Sequence, residues 1–106
     1  MNTEKIRLLN DILRKTFVGG QVMLTTGIRV KSAEDQAEIL QKVRSFNEFT
    51  KANDPYGEHD YGRFTHNGED IMFKIDYYNK TYDRMSDDPS NPEITNRVMT
   101  IMCGEY

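Results

Sequence analysis

Residues 59–78 read HDYGRFTHNGEDIMFKIDYY, and the Asn67-Gly68 pair at their centre decides the fold. A type I′ turn needs positive φ at both middle residues, which Asn and Gly accept at the least steric cost. A two-residue loop fixes the register of the strands on either side, 59–66 and 69–78. His66 then faces Glu69, Phe64 faces Ile71, Gly62 faces Phe73 and Asp60 faces Ile75. One face carries Phe64, Ile71, Phe73, Ile75 and Tyr77 and must be the core face. The other carries His59, Tyr61, Arg63, Met72, Lys74, Asp76 and Tyr78. A slip of one residue would exchange the two faces.

Working outward, residues 3–17 predict a helix. Ile6, Leu9 and Leu13 recur at helical spacing, with Leu8 and Ile12 widening the stripe. Asn2 or Thr3 can cap it, and Gly19-Gly20 is expected to stop it. Residues 21–26, QVMLTT, read as a strand that Ile28-Arg29-Val30 can extend past Gly27. Ser32 followed by Asp35 resembles a capping box for a second helix. Ile39, Leu40, Val43, Phe46 and Phe49 share its apolar face, and Asn53-Asp54-Pro55-Tyr56-Gly57 supplies turn chemistry after it. A polar excursion spans 79–93. Val98 to Cys103 is nearly continuous apolar sequence, as in a strand covered on both faces or, alternatively, a short buried helix. The expected architecture is α+β, one domain over residues 1–106 in the order α-β-α-β-β-β. A small antiparallel sheet of about four strands would pack with two helices.

Composition narrows the function classes. A chain of 106 residues buries roughly 65% of its unfolded surface, enough for one core. The net charge of −3 speaks against a dominant nucleic-acid binder. It is unevenly spread, +3 over residues 1–52 and −6 over 53–106. The single cysteine, Cys103, excludes an internal disulfide and reads as a small buried hydrophobe. The N-terminal stretch is amphipathic and charged, with neither a leader pattern nor a membrane span, so a cytoplasmic protein without membrane contact is expected. No P-loop, GxSxG elbow, HExxH or dinucleotide fingerprint occurs.

The unusual residues gather in the hairpin and its flanks. The register puts His59 opposite Asp76, where side chains lie about 5 Å apart, as in a minimal acid–base dyad. No nucleophile or oxyanion element accompanies the pair, which favours two polar groups simply satisfying each other on a sheet face. Glu58-His59-Asp60 lacks metal-ligand spacing, and no metal or cofactor is expected. His66, beside the hairpin tip, is expected in solvent. Asp60 falls on the apolar face, with Arg97 or backbone N–H groups of the 54–57 turn as partners, unless it reaches solvent at a frayed strand end. Met23, Met72, Met85, Met99 and Met102 read as core filling. Five tyrosines lie between residues 56 and 82, and exposed tyrosines favour binding surfaces.

Specific motifs run through the chain. They are Asn53-Asp54-Pro55-Tyr56-Gly57-Glu58-His59-Asp60-Tyr61-Gly62, Lys74-Ile75-Asp76-Tyr77-Tyr78, Ser86-Asp87-Asp88-Pro89 and Arg97 to Met102. With Leu9-Asn10-Asp11, Arg14 and the closing Glu105-Tyr106, they resemble domain-of-unknown-function family 3768. Tyr61 stands where that family more often has phenylalanine, Asn79 where it has aspartate, and Cys103-Gly104 where it has small or aliphatic residues. The resemblance implies a compact domain in a bacterial or phage setting, near mobile elements, and supplies no activity.

Two function classes follow. The favoured one is a small non-enzymatic binding protein with a protein partner, in its finer form a phage- or plasmid-encoded inhibitor of a host defence system such as CRISPR. Its surface would be acidic and tyrosine-rich: Glu58, His59, Asp60, Tyr61, Asp76, Tyr78, Asp87 and Asp88. The alternative is a small enzyme using His59 and Asp76 as acid and base, with Tyr78 or Lys74 assisting. A weaker third reading has the +3 half bind nucleic acid.

Overall fold

A computed structural model describes residues 2–104, so the closing Glu105-Tyr106 pair lies outside the described residues. At its centre the hairpin forms in the expected register. β2 (Tyr61–His66) pairs antiparallel with β3 (Glu69–Tyr78), from His66 opposite Glu69 to Tyr61 opposite Lys74. Asn67 and Gly68 take φ of 50° and 80°, as the turn requires. Ile71, Phe73, Ile75 and Tyr77 are buried, so the core face is the one the register selects.

β4 (Asn96–Cys103) pairs antiparallel with β3 on its other side. β1 (Gln21–Leu24) then joins β4 in parallel, giving the order β1-β4-β3-β2. The sheet is therefore mixed, where an antiparallel one was expected. Gly20 lets the chain enter this pairing: a Cβ there would lie 2.6 Å from the Arg97 carbonyl oxygen. Burial alternates along β4, so it is covered on one face only. A nearly apolar run is here an ordinary strand whose outer side keeps Val98, Thr100 and Met102 half-buried.

The helices cover the inner face. α1 spans Thr3–Thr16, with the Asn2 side chain capping the Lys5 N–H at 3.0 Å. It stops at Phe17, which takes φ 62° and returns its N–H to the Leu13 carbonyl, two residues before the expected glycines. Ile28-Arg29-Val30 does not extend β1. Thr26–Arg29 forms a single helical turn, α2, which drives Ile28 fully into the core. α3 spans Ala33–Ser45, capped by the Ser32 side chain on the Asp35 N–H. Ile39, Val43 and Phe46 from this side meet Ile6 and Leu13 of α1 over Phe73, Met99 and Ile101. Element order otherwise follows α-β-α-β-β-β.

Two further expectations change. Of the methionines named, only Met99 fills the core; Met23 and Met85 are exposed, and Met72 and Met102 lie half-buried on the outer face. His66 is 3% exposed, because the register puts it on the helix-covered side and α3 closes over it. Cys103 is buried, as its apolar setting suggested.

Candidate functional site

The site begins in the 54–60 turn. The Asp54 carboxylate is buried and accepts the Glu58 and His59 backbone N–H groups at 3.1 and 3.2 Å. That curls the chain through two left-handed residues, Gly57 at φ 70° and His59 at φ 57°. Positive φ at histidine is uncommon and persists where surrounding contacts enforce it. The contacts here are visible. The His59 ring stacks on Phe49, with centroids 3.9 Å apart and planes 6° apart. Its Nδ1 lies 2.9 Å from Asp11 Oδ1 on α1, and its Nε2 lies 3.8 Å from Asp54 Oδ2.

The His59–Asp76 pair expected from extended strand pairing is therefore not formed. β2 starts at Tyr61, and the reversed backbone at His59 carries the imidazole to α1. Asp76 instead pairs with Lys74 at 3.1 Å. The Nδ1 contact to Asp11 and the stack on Phe49 tie the turn to α1, while Nε2 lies beyond hydrogen-bond distance of Asp54.

Asp11 also accepts from Arg14 Nη2 at 2.9 Å. Arg14 Nη1 donates to the carbonyls of Val43, Arg44 and Phe46, where α3 ends. A cleft of about 370 Å³ opens beside this chain of contacts, lined among others by Asp11, Lys15, Arg44, Phe49 and His59.

A buried network lies next to it. Arg97 Nε donates to Asn10 Oδ1 at 2.8 Å, and Arg97 also donates to the Pro89 carbonyl. Asn10 Nδ2 donates to Tyr77 Oη at 2.8 Å and to the Glu58 carbonyl at 3.0 Å. Tyr77 Oη donates to Glu58 Oε1 at 2.6 Å. Burial, then the Glu58 acceptor, pushes the Tyr77 phenol far above its ordinary range, so it stays a donor. Burial lowers the Arg97 guanidinium from its ordinary value. Arg97 is thus spent on Asn10 and Pro89, and the Asp60–Arg97 pair, one of the partners the sequence offered, is not formed.

Asp60 keeps its place opposite Ile75, whose N–H donates to the Asp60 carbonyl at 2.8 Å. Its side chain is half-buried and forms no ion pair among the described residues. Burial comes first, and the charges of Glu58, Asp54 and Asp76 add to it, to raise its carboxyl above the ordinary range. Glu58, Asp54 and Asp76 thus all lie within electrostatic reach of Asp60. Tyr61 and Tyr78 share the outer sheet face with Asp76, and the Tyr78 ring lies 5.9 Å from Tyr82. The 79–93 loop uses its acids differently. Asp88 accepts from the Ser90 N–H and hydroxyl, which hold its carboxyl low, while Asp87 is exposed.

Asn10, Asp11 and Arg14 escaped the site reading of the residues. One signal was available: Ile6, Asn10 and Leu13 fall on the same helical face, so a polar side chain interrupts the apolar stripe. Residues 24–105 match a family profile described as protein of unknown function (DUF3768). No curated protein and no solved structure matches the chain.

Proposed function

The chain belongs to the DUF3768 family, and from that premise we propose that it is a non-enzymatic binding protein. It docks a basic surface of a partner protein through Glu58, Asp60 and Asp76, with Tyr61 and Tyr78 alongside. The observation that carries this reading is the Asp60 carboxylate. It stands half-buried among Asp54, Glu58 and Asp76 without a cation of its own among the described residues. Such a group weakens the fold when ionised, and a cationic side chain from a partner would relieve it. Tyrosines beside it add large contact area with few rotatable bonds. In its finer form the proposal is a phage- or plasmid-encoded inhibitor of a host defence system. The acidic end would occupy a basic nucleic-acid channel of a defence effector such as a CRISPR nuclease, by charge complementarity.

The stability side has a definite sign. Asp60 has a folded-state pKa above the ordinary 3.8. Between those values the folded state holds the proton more tightly, so stability falls as pH rises through the folded pKa. Asp60→Asn is therefore expected to raise the midpoint of unfolding at neutral pH. The gain should close as pH approaches the ordinary carboxylate value. Equal midpoints at pH 7 would remove the observation on which the reading rests.

Function is tested by plasmid-interference assays in strains carrying a defence system. Protection by the wild-type chain is expected, with loss of it in Asp60→Lys and Asp76→Lys. Against the purified effector, each reversal should weaken binding by roughly tenfold or more, and added salt should slow association. Unchanged affinity in both variants would overturn the acidic-end reading. No effect on any system would overturn the inhibitor form.

A further inference from the structure

We propose that Asp35, Glu38 and His66 form a binding site for a divalent transition-metal ion of the zinc class. The site lies at the start of α3 and the tip end of the hairpin, and it does not depend on the acidic-end reading. Asp35 and Glu38 stand three residues apart on α3, hence on one helical face. His66 ends β2 on the side that α3 covers. His66 Nε2 lies 3.1 Å from Asp35 Oδ1 and 3.6 Å from Glu38 Oε1. One ligand atom from each of the three falls within 4.8 Å of the others.

Those separations suit zinc. Bonds of about 2.0–2.2 Å at tetrahedral angles put ligand atoms roughly 3.3–3.6 Å apart. Two of the three edges already lie close to that span, so small side-chain shifts would complete the set. The Asn67 amide donates to Asp35 Oδ1 at 3.2 Å and helps to orient the carboxylate. His66 is 3% exposed and fixed, whereas the Asp35 and Glu38 side chains are 37% and 52% exposed, leaving an entry path and a place for water as fourth ligand. An imidazole with only three protein ligands favours zinc-like ions over magnesium or calcium, which take oxygen-rich shells.

The proton arrangement makes the proposal specific. Lys42 Nζ lies 3.0 Å from His66 Nδ1 and can only donate, so Nδ1 accepts and Nε2 carries the ring proton toward Asp35. A metal on Nε2 requires the other neutral tautomer, with the proton on Nδ1. That N–H would face the Lys42 ammonium, so Lys42 must swing away. It is exposed, and swinging away also gives up its bond to the Thr65 carbonyl at 3.3 Å. Lys42 is thus a built-in competitor, and removing it should favour the metal.

The experiment titrates tag-free protein with Zn²⁺ by calorimetry and with Co²⁺ by visible absorption. One-to-one binding and a cobalt d–d band are expected, with no comparable response to Mg²⁺. Glu38→Gln, at an exposed position, should weaken binding at least roughly tenfold, and Lys42→Met should tighten it by a similar factor. His66→Gln, checked for folding by circular dichroism, should abolish the cobalt spectrum. No binding of either ion overturns the site. So does binding that neither Glu38→Gln nor Lys42→Met changes, or an equal affinity for Mg²⁺.

Discussion

Arg14→Met is expected to lower the stability of the fold by about 3 kcal/mol, read as a shift in the urea unfolding midpoint. Arg14 is 2% exposed, and it joins three parts of the chain. Its Nη1 donates to the Val43, Arg44 and Phe46 carbonyls at 3.2, 3.1 and 2.8 Å at the end of α3, where the Val43 carbonyl also takes the Phe46 N–H. Its Nη2 holds Asp11, which in turn holds His59. Its guanidinium carbon lies 5.2 and 5.9 Å from the Phe49 and Phe73 ring centroids. Methionine keeps much of the stem packing but takes the side-chain donor from the Arg44 and Phe46 carbonyls and leaves Asp11 with His59. Breaking a buried pair costs about 3–5 kcal/mol. Two features hold the loss to the lower end. The Asp11 side chain is 23% exposed, so water can replace part of what it loses. Arg14 Nε is already buried without a partner among the described residues, and methionine removes that burden. Arg14→Lys should fall between, since an ammonium cannot serve both groups with a planar fork. A midpoint within error of wild type for Arg14→Met would mean that this junction contributes nothing to the fold.

The same junction shows what sequence can and cannot disclose. The hairpin was legible because its information is local: Asn67-Gly68 sets the turn, and period-two alternation sets the face. The start of α3 was legible for a like reason, since Ser32 caps Asp35 within four residues. Parallel pairing of β1 with β4 depends on a contact between residues about 77 apart, and neither strand signals its partner. Ile28-Arg29-Val30 looked extended because two of its three residues are β-branched, yet burial of Ile28 favoured one helical turn. His66 could have been placed correctly. It shares parity with Gly62 and Phe64, and only its nearness to the turn suggested solvent. His59 could not have been placed. Its φ of 57° is imposed by Asp54 below, Phe49 beside and Asp11 across, none of which its immediate neighbours announce. The site reading followed strand register one step too far, to a residue where the strand had not begun.

Gly62→Ala should also be costly, by about 2–3 kcal/mol, although it adds one methyl group. Gly62 sits within β2 opposite Phe73, on the face that α3 covers. A Cβ built there would stand 2.3 Å from Phe73 Cε2, 2.6 Å from Phe73 Cζ and 2.8 Å from Phe46 Cε2. The backbone conformation is not the obstacle, since Gly62 is not among the residues with positive φ. The obstacle is space. Phe46 and Phe73 pack edge to face with centroids 5.4 Å apart, and Phe73 is fully buried, so neither ring can move without disturbing the other. Because Phe46 is also the residue whose carbonyl Arg14 caps, displacing it loosens the α3 end as well. The cause can be separated from a general intolerance of side chains in β2. Phe73→Leu alone should lose stability through the smaller side chain, but in the Gly62→Ala background the second change removes the colliding ring atoms. The double variant should therefore be more stable than the sum of the two single losses, by about 1 kcal/mol or more. Strict additivity, or a Gly62→Ala midpoint indistinguishable from wild type, would show that the glycine is not there to admit the Phe73 ring.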